Sequence, residues 1–186
     1  TLMNWAGYYP DDFDKIKNEH YEPAMLEGIK LHAAEIEAII NNPEAPTFAN
    51  TIVAYEKSGK FLDRVTTVFG NLRSAETNDD LQKIAQKMIP LLSEHSNNIS
   101  LNEKLFQRVK AVYKQKSKLS LTIEQAKLLD DIYDGFVRRG ANLQGEAKEK
   151  YRRLNTELSV LALRFSQNLL KETNNYELSL TTSQLE

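Results

Sequence analysis

The stretch "NNPEAPTFANTIVAYEKSGKFLDRV", residues 41–65, contains both the end of one helix and the beginning of the next. Asn41-Asn42-Pro43 predicts a helix end, since proline cannot extend a helix. Pro46 keeps the chain extended before Thr47, whose hydroxyl can accept a hydrogen bond from an otherwise unpaired backbone N–H as an N-cap. An amphipathic run follows from Phe48. This punctuation predicts two helices joined by a short, rigid turn.

Similar signals on either side of this stretch predict further helices. The first helix is expected to begin at Glu22–Pro23, and the run after Thr47 to cover about 48–75 as one long, bent helix or as two parts separated at Ser58-Gly59. Thr77-Asn78 predicts the start of the next helix, which Pro90 should kink. Asn102 predicts the start of a helix over about 103–117. The capping box from Thr122 to Gln125 predicts the start of a helix that ends at about Arg139.

The last predicted helix, over about 145–173, is the longest, at roughly 43 Å. Its stripe follows helical spacing, and we interpret it as the face that packs inside a bundle; it consists of Tyr151, Leu154, Leu158, Leu161 and Phe165, continued by Leu169. The alternation in residues 176–180 predicts a short strand.

Together these patterns predict an all-α fold: a bundle of about six long amphipathic helices with a short strand near the C-terminus. The expected divisions are an extended N-terminal arm (1–20), a helical lobe (21–175), and a short strand with a truncated C-terminal end (176–186).

The composition excludes several classes of function. The chain has 186 residues, no cysteine and a net charge of −2. Disulfides, thiolate metal sites and cysteine nucleophiles are therefore excluded. The basic run from Lys104 to Lys118 is the one hint of nucleic-acid binding, and a solvated helix face explains it more simply. No apolar run is long enough to span a bilayer. We expect no nucleic-acid or membrane partner.

The three histidines do not form a recognisable catalytic pattern. None opens an H-E-x-x-H motif, which would put two imidazoles and a general base on one helix face. His32 and Glu35 lie one turn apart and are interpreted as a surface contact, and His95 as a favourable cation near a helix C-terminus. His20 has no assigned role. The residues thus predict no catalytic, cofactor-binding or metal-ligating site in this chain.

Several segments, in order, resemble the N-terminal region of the thimet oligopeptidase-like zinc metallopeptidases, with the bacterial peptidyl-dipeptidases most similar. They are "HYEPAM" (20–25), "NNPEAPTFANTI" (41–52), "EKSGKFLDRVTTVFGNL" (56–72), "LNEKLFQRVKAVY" (101–113), "FVRRGANL" (136–143) and "LNTELSVLALRFSQNLLKETN" (154–174). The resemblance covers about residues 12–180. Ordered matches over such a length are more specific than any single short motif.

The resemblance implies a nearly all-helical zinc peptidase with two lobes around a channel that admits short peptides. It also implies zinc held by H-E-x-x-H and a later glutamate, and no position of this chain matches them. The expected function is therefore that of an N-terminal lobe, a channel wall without the catalytic site, in a parent enzyme that does bind zinc.

The expected partners are the C-terminal catalytic region of the parent chain and the parent's oligopeptide substrates, and the expected state is monomeric. We expect a cytoplasmic protein, with a periplasmic or exported one as the alternative. A stand-alone helical protein-interaction module without enzymatic activity is the second hypothesis.

Overall fold

A computed structural model describes residues 15–179 and residue 181, and these residues form a bundle of α-helices. Its six long helices are α1 (Tyr21–Ile40), α2 (Lys60–Ala75), α3 (Asp79–Ser100), α4 (Glu103–Tyr113), α5 (Ile123–Arg138) and α6 (Gly145–Asn175). Short 3₁₀ turns at Asn18–His20 and Lys116–Lys118 and a helical segment at 48–57 complete the described secondary structure. The predicted all-α fold is confirmed.

The turn between residues 41 and 47 has the predicted punctuation. Helix α1 ends at Ile40, and Thr47 is the N-cap of the next helical segment. The Thr47 hydroxyl accepts the Asn50 N–H at 3.0 Å, and the Asn50 side chain accepts the Thr47 N–H at 2.8 Å. This reciprocal pair satisfies two backbone donors that the helix itself leaves unpaired.

Arg108 of α4 forms further hydrogen bonds to the same turn. Its guanidinium donates to the carbonyl oxygens of Asn42 at 3.0 Å and Glu44 at 3.2 Å, and to the Asn50 side chain at 3.5 Å. The planar fork of donors suits a set of acceptors that converge from one loop. The turn is therefore fixed both by its own residues and by a distant helix.

The run after Thr47 is not one bent helix, because it breaks at Ser58-Gly59. Phe48–Val53 form a π-helical turn and Ala54–Lys57 one α-helical turn. Gly59 then has φ of +71°, a left-handed conformation that glycine adopts without the steric cost of a side chain. Helix α2 begins afresh at Lys60.

Three further predicted helix starts are confirmed by their caps. The side chains of Asn78, Asn102 and Thr122 each accept the backbone N–H three residues on. Helix α3 runs through Pro90 to Ser100. Helix α4 ends at Tyr113, earlier than the predicted 117, and the chain continues into the Lys116–Lys118 turn.

Two apolar clusters form the interior, and α1 and α3 contribute to both. The first core contains Tyr21, Ala24, Met25, Leu62, Val65, Phe69, Leu81, Ala85, Met88 and Leu163. The second core contains Ile36, Ile39, Ile52, Ile99, Leu105, Phe106, Val109, Val112, Leu129, Ile132, Phe136 and Ala141. The two cores therefore lie towards opposite ends of α1 and of α3.

The predicted strand at 176–180 is not found in the described part of it. Tyr176 to Ser179 follow α6 without regular secondary structure, and Leu180 lies outside the described residues. A strand needs a hydrogen-bonding partner, and the described residues contain no strand that could serve as one. Residues 1–14 of the predicted N-terminal arm also lie outside the described residues.

Candidate functional site

Two of the three histidines meet in the structure, although nothing in the sequence pairs them. The interpretation of His95 as a cation near a helix C-terminus is wrong, because α3 continues to Ser100 and His95 is only 8% exposed. It faces α1, where its Nε2 lies 3.1 Å from Nδ1 of His32. The two rings meet edge to face, with centroids 4.9 Å apart.

A chain of hydrogen bonds fixes the protons on this pair. The Ser58 hydroxyl donates to the carbonyl oxygen of Tyr55 at 2.7 Å. Its oxygen therefore accepts from Nε2 of His32 at 3.3 Å. A neutral His32 that carries its proton on Nε2 has a lone pair on Nδ1. His95 donates its Nε2–H to that lone pair, so the geometry assigns the Nε2–H tautomer to both rings.

The surroundings favour the neutral form of both imidazoles. Burial lowers the pKa of His32, although the negative charge of Glu35 opposes this shift. Burial also lowers the pKa of His95, and the nearby His32 lowers it further. The predicted His32–Glu35 contact thus has an electrostatic counterpart, while the Glu35 carboxylate accepts the Gly59 N–H at 2.7 Å.

Gly59 is required where it stands, because the His32 ring occupies the space a side chain would need. A Cβ atom built at this glycine would lie 2.7 Å from the imidazole. Together with the positive φ, this explains why a glycine occupies the position at which the helix breaks. At this break Gly59 leaves room for the His32 ring, and Ser58 supplies the hydroxyl with which the ring forms a hydrogen bond.

The histidine pair lines a cleft with a volume of about 690 Å³, whose wall also includes Ser58, Asp63, Ser96 and Arg139. Over the part of the chain that the structure describes, no three histidine, aspartate or glutamate side chains are grouped so as to hold a metal ion. The cleft offers hydrogen-bond donors, acceptors and both signs of charge.

A second notable surface lies on α6, and it overturns the interpretation of the last helix. The outer stripe, which consists of Leu154, Leu158, Leu161, Phe165 and Leu169, is exposed to solvent, with side chains 49% to 70% accessible. Leu163, on another face, is only 5% exposed and joins the first core. The most regular apolar stripe of the helix therefore faces away from the bundle.

The face of α6 that packs on α3 is largely polar. Asn97 of α3, which is fully buried, donates to the Thr156 hydroxyl at 3.2 Å and accepts from the Asn155 side chain at 2.6 Å. Further along, the amide of Gln167 donates to Gln82 at 2.9 Å. Sequence periodicity alone could not reveal this arrangement, since it favours burial of the apolar stripe.

Two residues of the basic run from Lys104 to Lys118 make contacts that stabilise the fold. Arg108 holds the 41–47 turn, and Lys116 forms an ion pair with Asp130 at 2.6 Å. The apolar residues between the charges, among them Leu105 and Val109, belong to the second core. The part of the run that lies on α4 thus agrees with the interpretation as one face of a packed helix, and the rest continues into the Lys116–Lys118 turn.

None of the described helices combines the length and the apolar character needed to cross a membrane.

No family model matches the chain. Its sequence is nevertheless clearly similar to those of curated peptidases, so this is a peptidase-related protein. Two of these relatives are named dipeptidyl carboxypeptidase. The one from Salmonella typhimurium is 45% identical over 163 residues, which are 88% of this chain and 24% of that protein. The one from Escherichia coli is 44% identical over 169 residues, 91% of this chain and 25% of that protein.

A more distant relative is oligopeptidase A of Haemophilus influenzae, 28% identical over 176 residues, 95% of this chain and 25% of that protein. The predicted resemblance is thus confirmed in sequence. The chain spans about a quarter of the length of these relatives.

Proposed function

We propose that this chain is the N-terminal helical lobe of a zinc-dependent peptidyl-dipeptidase or oligopeptidase that hydrolyses short peptides. The lobe forms part of the wall of the substrate channel and holds no catalytic residue. The similarity to dipeptidyl carboxypeptidases over nine-tenths of this chain, but a quarter of theirs, supports this proposal.

The exposed outer stripe of α6 is the observation that carries it. Five large apolar side chains in helical register form an extended apolar surface, and such a surface on a protein commonly marks an interaction site. The other face of the helix is held by hydrogen bonds to α3, so the stripe is presented outward in a fixed orientation. We propose that the C-terminal catalytic region of the same polypeptide covers it.

The residues of this chain do not fit the catalytic zinc that such a peptidase requires. The full sequence contains no H-E-x-x-H, and the described residues contain no three-ligand group. A catalytic zinc needs three protein ligands and one open position. The proposal therefore assigns zinc and the hydrolytic step to the rest of the polypeptide, and to this lobe the shaping of the channel and the exclusion of large substrates.

The test compares the 186-residue chain with the polypeptide read from its gene beyond Glu186. We expect zinc-dependent release of dipeptides from oligopeptides by the longer protein and no hydrolysis by the 186-residue chain alone. Chelator-sensitive peptidase activity of the pure chain would overturn the proposal. A reading frame that ends within a few residues would instead favour the stand-alone interaction module.

Substitutions in the longer protein test the role of the stripe. Phe165→Asp places a charge where we expect an interface, so it should lower both stability and peptidase activity. Ile123→Asp is the matched control, because Ile123 is an equally apolar residue that is 86% exposed at the start of α5, outside the stripe. Equal effects of the two substitutions would contradict burial of the stripe.

A further inference from the structure

We propose that His32 and His95 form a pH-sensitive joint between the two cores of the bundle. The pair holds α1, α3 and the Ser58-Gly59 break together while it carries at most one added proton, and it separates when both rings are protonated. This inference concerns the lobe itself and does not depend on the proposed function.

The position of the pair makes it a joint. On α1, His32 lies between Met25 of the first core and Ile36 of the second; on α3, His95 lies between Met88 and Ile99 in the same way. The cleft of about 690 Å³ opens at this level, so the apolar packing is interrupted there. At this level the hydrogen bond between the two histidine rings connects α1 to α3.

The proton inventory shows why one added proton is tolerated and two are not. A proton added to His95 leaves its Nε2–H still donating to Nδ1 of His32, 3.1 Å away. A second proton fills the Nδ1 lone pair of His32. Two N–H groups then face each other without an acceptor, and two positive charges lie side by side in a half-buried site. Separation of the rings relieves both penalties.

The charged groups around the histidine pair affect how readily each ring is protonated, but the ring separation itself depends on the contact between the two rings. Glu35 on α1 favours the protonated form of His32. The cleft is also lined by Glu56, Lys60 and Asp63 around the break and α2, and by Arg139 after α5. Acidic and basic side chains therefore face the pair together, and the direct contact between the two rings is the feature that two added protons remove.

The first test is nitrogen-detected NMR of the histidine rings in the 186-residue chain. At pH 7.5 we expect His32 and His95 both as Nε2–H tautomers. On acidification we expect two separate protonation steps that belong to the pair, because strongly coupled groups titrate together. Detection of Nδ1–H on neutral His32, or retention of the ring–ring contact with both rings protonated, would overturn the proposal.

The second test is hydrogen exchange of the backbone amides around Ser58-Gly59 as a function of pH. Corrected for the intrinsic exchange rate, the protection of these amides should fall across the second step, when the two rings separate. His95→Gln retains a side-chain N–H donor for His32 but cannot be protonated, so this fall should disappear. His20→Gln, which removes a histidine from the 3₁₀ turn before α1 and outside the cleft, should leave it unchanged. An unaltered fall in His95→Gln would refute the joint.

Discussion

Leu158 and Leu163 of α6 form a natural pair for testing how this helix is packed. They are the same residue type on the same helix, but Leu158 is 64% exposed and Leu163 is 5% exposed. Leu158→Ala in the 186-residue chain should therefore be only mildly destabilising, whereas Leu163→Ala should be strongly destabilising. An α6 packed through its regular apolar stripe would give the opposite order.

The expected magnitudes follow from these exposures. Complete burial of a leucine side chain contributes about 1.5–3 kcal/mol. Leu158 withdraws only about a third of its surface from water, so its truncation should cost roughly 0.5–1 kcal/mol. Leu163 is nearly fully buried against the first core, and truncation of such a residue costs about 2–5 kcal/mol, because a cavity remains.

Urea denaturation of the two variants beside the wild-type chain measures both values, provided that the slope of the transition is unchanged. Equal losses for the two variants would refute the assigned orientation of α6. In the longer polypeptide the cost of Leu158→Ala should rise towards that of Leu163→Ala if the outer stripe is covered there. An unchanged cost would count against the proposed interface but not against the packing of α6 on α3.

Three further outcomes are expected in the 186-residue chain. Thr47→Ala should lower the free energy of unfolding by about 1 kcal/mol in denaturant titration, since it removes an N-cap, whereas Thr67→Ala on the exposed side of α2 should cost less. Gly59→Ala should cost more than 1 kcal/mol, since it combines a strained φ with a clash against His32, and Gly70→Ala, where a Cβ meets no neighbour within 4 Å, should not. The pKa values of His32 and His95 are lowered on folding. Their contribution to the free energy of unfolding should therefore be complete above the unfolded-state pKa of about 6.5. It should decline as the pH falls from there towards the lower folded-state pKa values. Thermal unfolding from pH 8 to 5 checks this, and a loss of equal size in His95→Gln would contradict it.

The helix starts could be predicted from the sequence because their determinants are local. The caps at Thr47 and Thr122 depend on residues within one turn of each other, and the structure reproduces both. The end of α1 before Pro43 is local in the same sense. Such features do not depend on how the helices later pack.

The orientation of α6 and the pairing of the histidines could not be predicted because both depend on tertiary contacts. The apolar stripe of α6 indicates a helix to be buried, but not which partner buries it. His95 meets His32 across 63 positions of sequence, and only the packing of α3 on α1 brings the rings together. The break at Gly59 lies between these cases. A glycine signals locally that a left-handed conformation is possible, but only the packed structure shows that the His32 ring fills the space of a side chain there.

The hydrogen bonds between Arg108 and the 41–47 turn also have a consequence for the order of folding. The guanidinium lies 58 to 66 positions along the chain from the acceptors it binds. Closing a loop of that length carries an entropy cost before any contact is gained, and contacts of high sequence separation slow folding. The turn can form locally through Thr47 and Asn50, and Arg108 adds its three contacts only once α4 has docked. In a folding intermediate that lacks α4, the angle between α1 and the 48–57 segment would therefore be set without Arg108, by contacts such as those of His32 and Glu35 with Ser58-Gly59.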